Sequence, residues 1–158
     1  MILLGSLGVG KTRHATAFAV DALQLGKTAY LITLSHLMDD LEKRNAKGVL
    51  ARRHKFYAHP DLLIIDEVGY MQLTQQQAKA LCQVICSRHE WGSVIMTSNK
   101  YFSDGGELMS DSVIATAILD RLLHHAPVVN IKGESYRLKD RLRAGLNPAV
   151  LNPGLDNR

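Results

Sequence analysis

Gly5-Ser6-Leu7-Gly8-Val9-Gly10-Lys11-Thr12, read as GSLGVGKT, fills every fixed position of the phosphate-loop pattern G-x-x-x-x-G-K-[ST]. A short apolar run, Ile2 to Leu4, precedes it, and a helix-like stretch, Arg13 to Leu25, follows. That strand–loop–helix setting is what the motif requires. The residue types follow from the chemistry of holding a phosphate. Glycines let the backbone curl so that successive N–H groups point inward and form an anion-binding nest. The helix N-terminus adds a partial positive charge. Lys11 can reach β- and γ-phosphates, and the Thr12 hydroxyl can bind Mg²⁺.

Further along the chain, Asp61 to Glu67 reads DLLIIDE. Leu62 to Ile65 is a continuous apolar run, as expected of a parallel strand buried on both faces. The acidic pair Asp66-Glu67 sits at its C-terminal end, where ligands bind in open α/β sheets. Asp66 is placed to hold the Mg²⁺ of a nucleotide, directly or through water. Glu67 is placed to polarise a water for attack on the γ-phosphate. An acidic pair alone is equally a surface feature of a strand-to-loop junction; the upstream phosphate loop gives it meaning.

The chain has 158 residues, 46% hydrophobic and 22% charged, which suits one globular domain. No stretch approaches the ~18 apolar residues of a membrane span, and no signal-peptide pattern opens the chain. Cys82 and Cys86, four apart on an expected helix, are poorly spaced for a disulfide, and no Cys-x-x-Cys occurs. A cytoplasmic setting follows as the expectation. Net charge is +4 and the basic residues cluster. Lys43, Arg44, Lys47, Arg52, Arg53, His54 and Lys55 form one group, and Lys132, Arg137, Lys139, Arg141 and Arg143 another. Each is either a phosphate-contacting surface or a solvated helix face.

Strand and helix patterns alternate along the chain. Thr28 to Thr33 is an expected second strand, and Ser35 is the expected cap of a helix from His36 to about Asn45. Gly48 to His59 suits a basic amphipathic helix that Pro60 breaks. Thr74 caps an expected helix to about His89, with Ala78, Leu81, Val84 and Ile85 on its inner face. In the first helix Ala15, Phe18, Ala19, Ala22 and Leu23 are the expected apolar positions. Ser93 to Thr97 is a fourth strand, and a helix starts at Ser110 or Asp111. Val128 to Ile131 and Ser135 to Leu138 suggest a short hairpin around Lys132-Gly133-Glu134. From Gly145 onward the composition suits a disordered tail. This order predicts an α/β fold, a doubly wound and mostly parallel sheet flanked by helices. The first strand is short, which suggests an internal or late start at Met1, or a fragment.

Three further polar positions are candidates for the site. Asn99, ending Thr97-Ser98-Asn99, can orient the attacking water or touch the γ-phosphate, or simply cap the strand end. Arg121, in Leu119-Asp120-Arg121-Leu122, is a candidate arginine finger, or half of a surface ion pair with Asp120. Arg137 is a second candidate basic contact. His124 and His125 are adjacent and therefore face different ways on a helix, which suits packing rather than metal ligation.

Together GSLGVGKT, LLIIDEVGY, VIMTSN and ILDRLLHHAPVVNIKGESYRL resemble the IstB-like family of AAA+ ATPases, helpers of insertion-sequence transposition related to the DnaC helicase loader. The resemblance covers nearly all of residues 1 to 145. It implies a P-loop NTPase of AAA+ type with a three-layer α/β/α architecture, with residues 1–145 as the ATPase core and 146–158 as a tail. It implies that Gly5, Ser6, Leu7, Gly8, Val9, Gly10, Lys11 and Thr12 form Walker A, and that Asp66 and Glu67 form Walker B. It further implies sensor one at Asn99, an arginine finger at Arg121 and a sensor-two-like arginine at Arg137, with Tyr70 and the helix after it also fitting. ATP and Mg²⁺ are the implied cofactors. Nonspecific DNA, a transposase and further copies of the chain are the implied partners. One departure stands out: family members carry a segment of small-domain size before Walker A. That segment helps to bind DNA and the partner protein. Without it a DnaC-like loader of a replicative helicase, or a nucleotide-binding module that does not hydrolyse, remains an alternative. A small-molecule kinase fits less well, because no lid of arginines is evident and the acidic pair suits water activation.

Overall fold

The computed structural model describes residues 1–46, 48, 50–88, 92–99, 126–137 and 139. Their strands form one all-parallel sheet in the order β2-β3-β4-β1-β5. Strand β1 is Ile2–Leu4, β2 Ala29–Thr33, β3 Leu62–Asp66, β4 Ser93–Ser98 and β5 Val128–Asn130. Alternation along β3 divides the core in two. Leu63 and Ile65 face a large cluster with Ile2, Leu4 and Met96, while Leu62 and Ile64 face a smaller one with Leu3 and Ile95. Helices on both faces cover these rows, which gives the expected three layers. Every residue of β3 is buried, as its unbroken apolar run predicts.

The smaller cluster is closed by α1, Lys11–Gln24, which presents Ala15, Ala19 and Ala22 to the sheet. Small side chains at this spacing let the helix lie close. Phe18 and Leu23, expected on the same face, flank it instead and are 41% and 57% exposed. The larger cluster is closed by α2 (Leu34–Ala46), α3 (Leu50–Ala58) and α4 (Gln75–Cys86). Helix α2 begins one residue before Ser35, so Ser35 is not its cap. The Thr33 hydroxyl takes that place, 3.4 Å from the His36 N–H. Helix α4 carries the expected cap in full form. Gln77 N–H donates to Thr74 Oγ1 (3.3 Å) while Gln77 Oε1 accepts from Thr74 N–H (2.9 Å), a reciprocal capping box. Its inner face is Ala78, Leu81, Val84 and Ile85, as the periodicity predicts. Cys82 and Cys86 form no disulfide with each other, and their sulfurs lie in hydrogen-bond contact at 3.5 Å.

The expected hairpin after Pro127 does not form. Val128–Asn130 pairs in parallel with β1, with Ile2 opposite Val128 and Leu4 opposite Asn130. Tyr136, Arg137 and Lys139 are helical rather than extended. The far side of β1 offers a ladder of backbone groups, and the apolar Val128-Val129 run satisfies it. A local periodicity cannot distinguish this long-range pairing from a turn-closed one.

Two buried or half-buried arginines fix the α3 region. Arg88, fully buried just after α4, donates to the carbonyls of Tyr57, Ala58, Pro60, Asp61 and Ser93 at 2.6 to 3.3 Å. One side chain thus ties the end of α3, the loop before β3 and the start of β4. Gly92 leaves room for it, since a Cβ there would lie 2.5 Å from an Arg88 terminal nitrogen. Arg53 pairs with Asp40 of α2, and its guanidinium lies 4.0 Å above the Phe56 ring. Tyr57 also donates to Asp40, at 2.8 Å. Burial disfavours the Asp40 charge, but hydrogen bonds from Arg53 and Tyr57 and the charges of Arg53 and Arg44 outweigh it and hold the carboxyl below its ordinary range. Arg53, one of the candidate phosphate-binding residues, is therefore occupied in holding α3 against α2.

Replacing Arg88 with Met removes every one of these donors and leaves carbonyls buried without partners. We expect a loss of roughly 3–5 kcal/mol in urea unfolding. Asp40 has a folded pKa below its unfolded value of about 3.9. Its contribution is therefore complete above that value and is lost as pH falls through the folded pKa. Urea midpoints measured from about pH 5 to 2 should show a shallower acid decline in Asp40→Asn than in the parent.

Candidate active site

The loop Gly5–Gly10 runs from the C-terminal end of β1 into α1. Gly10 is the residue before α1 and has φ 94°, a left-handed conformation that favours glycine. Gly8 has φ +80° and lies so close to Ser135 that a Cβ would collide with its hydroxyl. The Tyr136 N–H donates to Gly8 O at 3.0 Å. The segment after β5 therefore seats directly on the phosphate loop and brings Arg137 to it. The Lys11 ammonium donates to the Gly5 and Ser6 carbonyls at 2.7 and 2.8 Å, which curls the loop around its own cation. Lys11 is only 9% exposed. Burial lowers its pKa and the Arg137 charge adds to that, while Asp66 opposes both.

Asp66 ends β3, buried, and its carboxylate faces the loop. Thr12 Oγ1 donates to Asp66 Oδ1 at 3.3 Å, and Thr97 Oγ1 donates to the same oxygen. Glu67 is the next residue and adopts φ 63°, ψ 35°. Among the described residues it is the sole non-glycine with positive φ. Such backbone costs about 1–3 kcal/mol and persists where surrounding structure fixes it. Here the Glu67 N–H donates to Thr97 Oγ1 at 3.1 Å.

These groups surround a cavity of about 510 Å³, lined by residues 7–14, Asp66, Glu67, Tyr70, Thr97, Ser98, Tyr136 and Arg137. The backbone nest and Lys11 suit a polyphosphate. A hydroxyl and a carboxylate side by side, Thr12 and Asp66, are hard oxygen donors that suit Mg²⁺. Among the described residues no three His, Cys, Asp or Glu side chains gather as a metal cage. Mg²⁺ characteristically takes one or two protein ligands and completes its shell with phosphate and water. Tyr70, half-exposed at the mouth, has its hydroxyl pKa raised by burial and by Glu67.

The structure thus brings together the Leu7–Thr12 part of the loop, Asp66, Glu67 and Arg137. Gly5 and Ser6 stand behind, with their carbonyls on Lys11. Asn99 follows β4 and does not line the cavity; its Oδ1 is buried without a hydrogen-bond partner among the described residues. Arg121, His124, His125, the helix expected from Ser110 or Asp111 and the tail lie outside the described residues. Sequence reasoning missed Thr97. The signal was available, because β4 places this hydroxyl one step beyond the paired residues Ile65 and Met96. On another face, Arg44, Arg52, Arg53, Lys55, Phe56 and His59 line a basic groove.

No described helix is long and apolar enough to cross a membrane. The fold is similar to that of the DnaC helicase loader, with TM-score 0.72 at 22% identity over 84% of this chain and 77% of that one. It is similar also to AMPPCP-bound DnaA from Aquifex aeolicus, with TM-score 0.69 at 16% identity over 90% and 44% of the two chains. The fold shared with these proteins is a parallel five-stranded sheet flanked by helices. Among sequence relatives, the protein named for ATP binding in insertion sequence IS5376 of Geobacillus stearothermophilus is 43% identical over 141 residues, covering 89% of this chain and 56% of the relative. Its counterpart in IS21 of Pseudomonas aeruginosa is 44% identical over 146 residues, covering 92% and 55%. The chain therefore spans about half the length of these relatives. Residues 1–144 match the model of the IstB-like ATP binding protein family, and the chain belongs to that family.

Proposed function

We propose that residues 1–145 are the ATPase core of a helper of insertion-sequence transposition, one that binds and hydrolyses ATP, assembles with further copies on DNA and assists a transposase. The observation that carries this reading is the gathering of Lys11, Thr12, Asp66, Glu67 and Arg137 around one cavity. In this mechanism the loop N–H groups and Lys11 bind the phosphates, and Arg137 adds a second positive charge. Thr12 and Asp66 would hold Mg²⁺, which would supply positive charge against the phosphates. Glu67 takes a proton from the attacking water. Asn99 does not line the cavity in this arrangement and is not assigned the water; Arg121 completes the site of a neighbouring copy. The protein works in the cytoplasm, where its DNA is. Identities of 43% and 44% to insertion-sequence proteins favour a transposase over a replicative helicase as partner.

Lys11→Ala should weaken ATP binding strongly by calorimetry, because it removes the main charge on the phosphates. Glu67→Gln should keep ATP bound and slow hydrolysis by about 10²-fold or more. Parental affinity in the first variant, or parental turnover in the second, would contradict the assigned roles.

The basic groove is the DNA-binding surface in this reading. Arg53 is committed to Asp40, so Arg52 and Lys55 are the residues to replace. Arg52→Ala with Lys55→Ala should reduce the slope of log affinity against log salt by about one unit for each DNA phosphate left unneutralised, with the circular dichroism spectrum unchanged. An unchanged slope would mark the groove as a solvated face.

A further inference from the structure

Adjacent side chains on a regular strand point to opposite faces. Asp66 and Glu67 are adjacent, yet both line the same cavity. The left-handed turn at Glu67 brings this about, and its N–H is held by the Thr97 hydroxyl. The same hydroxyl gives its one hydrogen to Asp66 Oδ1, which Thr12 also contacts. Thr97 is itself buried, so water does not replace it. We propose that Thr97 is a positioning residue whose single hydroxyl keeps the two neighbouring carboxylates in separate roles. Its donated hydrogen fixes the rotation of the Asp66 carboxylate toward Thr12. Its accepted hydrogen bond keeps Glu67 out of the strand line, aimed into the cavity for water. The proposal rests on the reading of Glu67 as the general base.

Thr97→Val keeps the shape and the strand preference and removes only the hydroxyl. Thr97→Ser keeps the hydroxyl. In Thr97→Val, the Glu67 amide should exchange with deuterium at least about tenfold faster than in the parent, measured by NMR without nucleotide. At saturating ATP, kcat should fall by about tenfold or more, while KM for ATP stays within about threefold. Ser should restore both amide protection and kcat to within about threefold of the parent. Parental exchange or parental kcat in Val overturns the proposal, as does failure of Ser to rescue. If Val does not fold, Thr97→Ala is read in the same way. If neither folds while Ser does, the hydroxyl serves stability alone and the proposal fails. Glu67→Gln separates the two readings. Parental turnover in that variant removes the general-base assignment, whereas Glu67 amide exchange still tests the hold of Thr97.

Discussion

The parallel pairing of β4 with both of its neighbours is the constraint on which the site depends. Parallel strands deliver their C-terminal ends to one edge of the sheet. Strand β1 delivers the phosphate loop there, β3 the acidic pair, and β4 the Thr97 hydroxyl between them. The register sets Ser98 beside Leu4 and Met96 beside Ile65. A slip of one residue in β4 would turn Thr97 to the other face and set Met96 or Ser98 in its place beside Asp66. The buried apolar rows of Leu63, Ile65 and Met96 resist such a slip, so the packing that holds the sheet also holds the chemistry in line.

Of the charges around that edge, Lys11 and Asp66 are shielded from solvent, while Glu67 and Arg137 are exposed. Lys11 is nearly buried, Asp66 is buried opposite, and Arg137 joins the same cavity from a segment far along the chain from either. Ser135 and Tyr136 seat that segment on Gly8, so the loop and its second cation form one body. Electrostatic groups that are already in place need little rearrangement as charge shifts during a reaction.

Much of this was legible in the sequence, because the loop motif, the apolar run before Asp66 and the α4 periodicity are local patterns with few alternative readings. The cap at Thr74 was legible for the same reason, whereas the return bond from Gln77 was not read. What escaped were consequences of distant pairings. Val128-Val129 reads equally as half of a hairpin or as a strand added beside β1, and the unpaired flank of β1 decides. Arg53 reads as one more surface cation until Asp40 of the preceding helix is set against it. Phe18 and Leu23 fit an apolar stripe, but the alanines pack closely enough to leave them outside. Thr97 has a single polar side-chain atom, and its meaning appears when two strands bring the acidic pair beside it.

Arg88 and Gly92 carry a consequence for how sequences of this kind can drift. The guanidinium is held by carbonyls on three separate stretches of chain, so it cannot swing aside as a surface arginine would. Any side chain at position 92 would press on it. The two positions are thus locked in an order of events. A larger residue at 92 becomes tolerable only after 88 has given up its arginine, and that first step removes the side-chain donor from five carbonyls, of which Asp61 O keeps the Ser93 N–H. A lineage holding this pair sits in a basin that single substitutions do not leave, whatever happens to its activity.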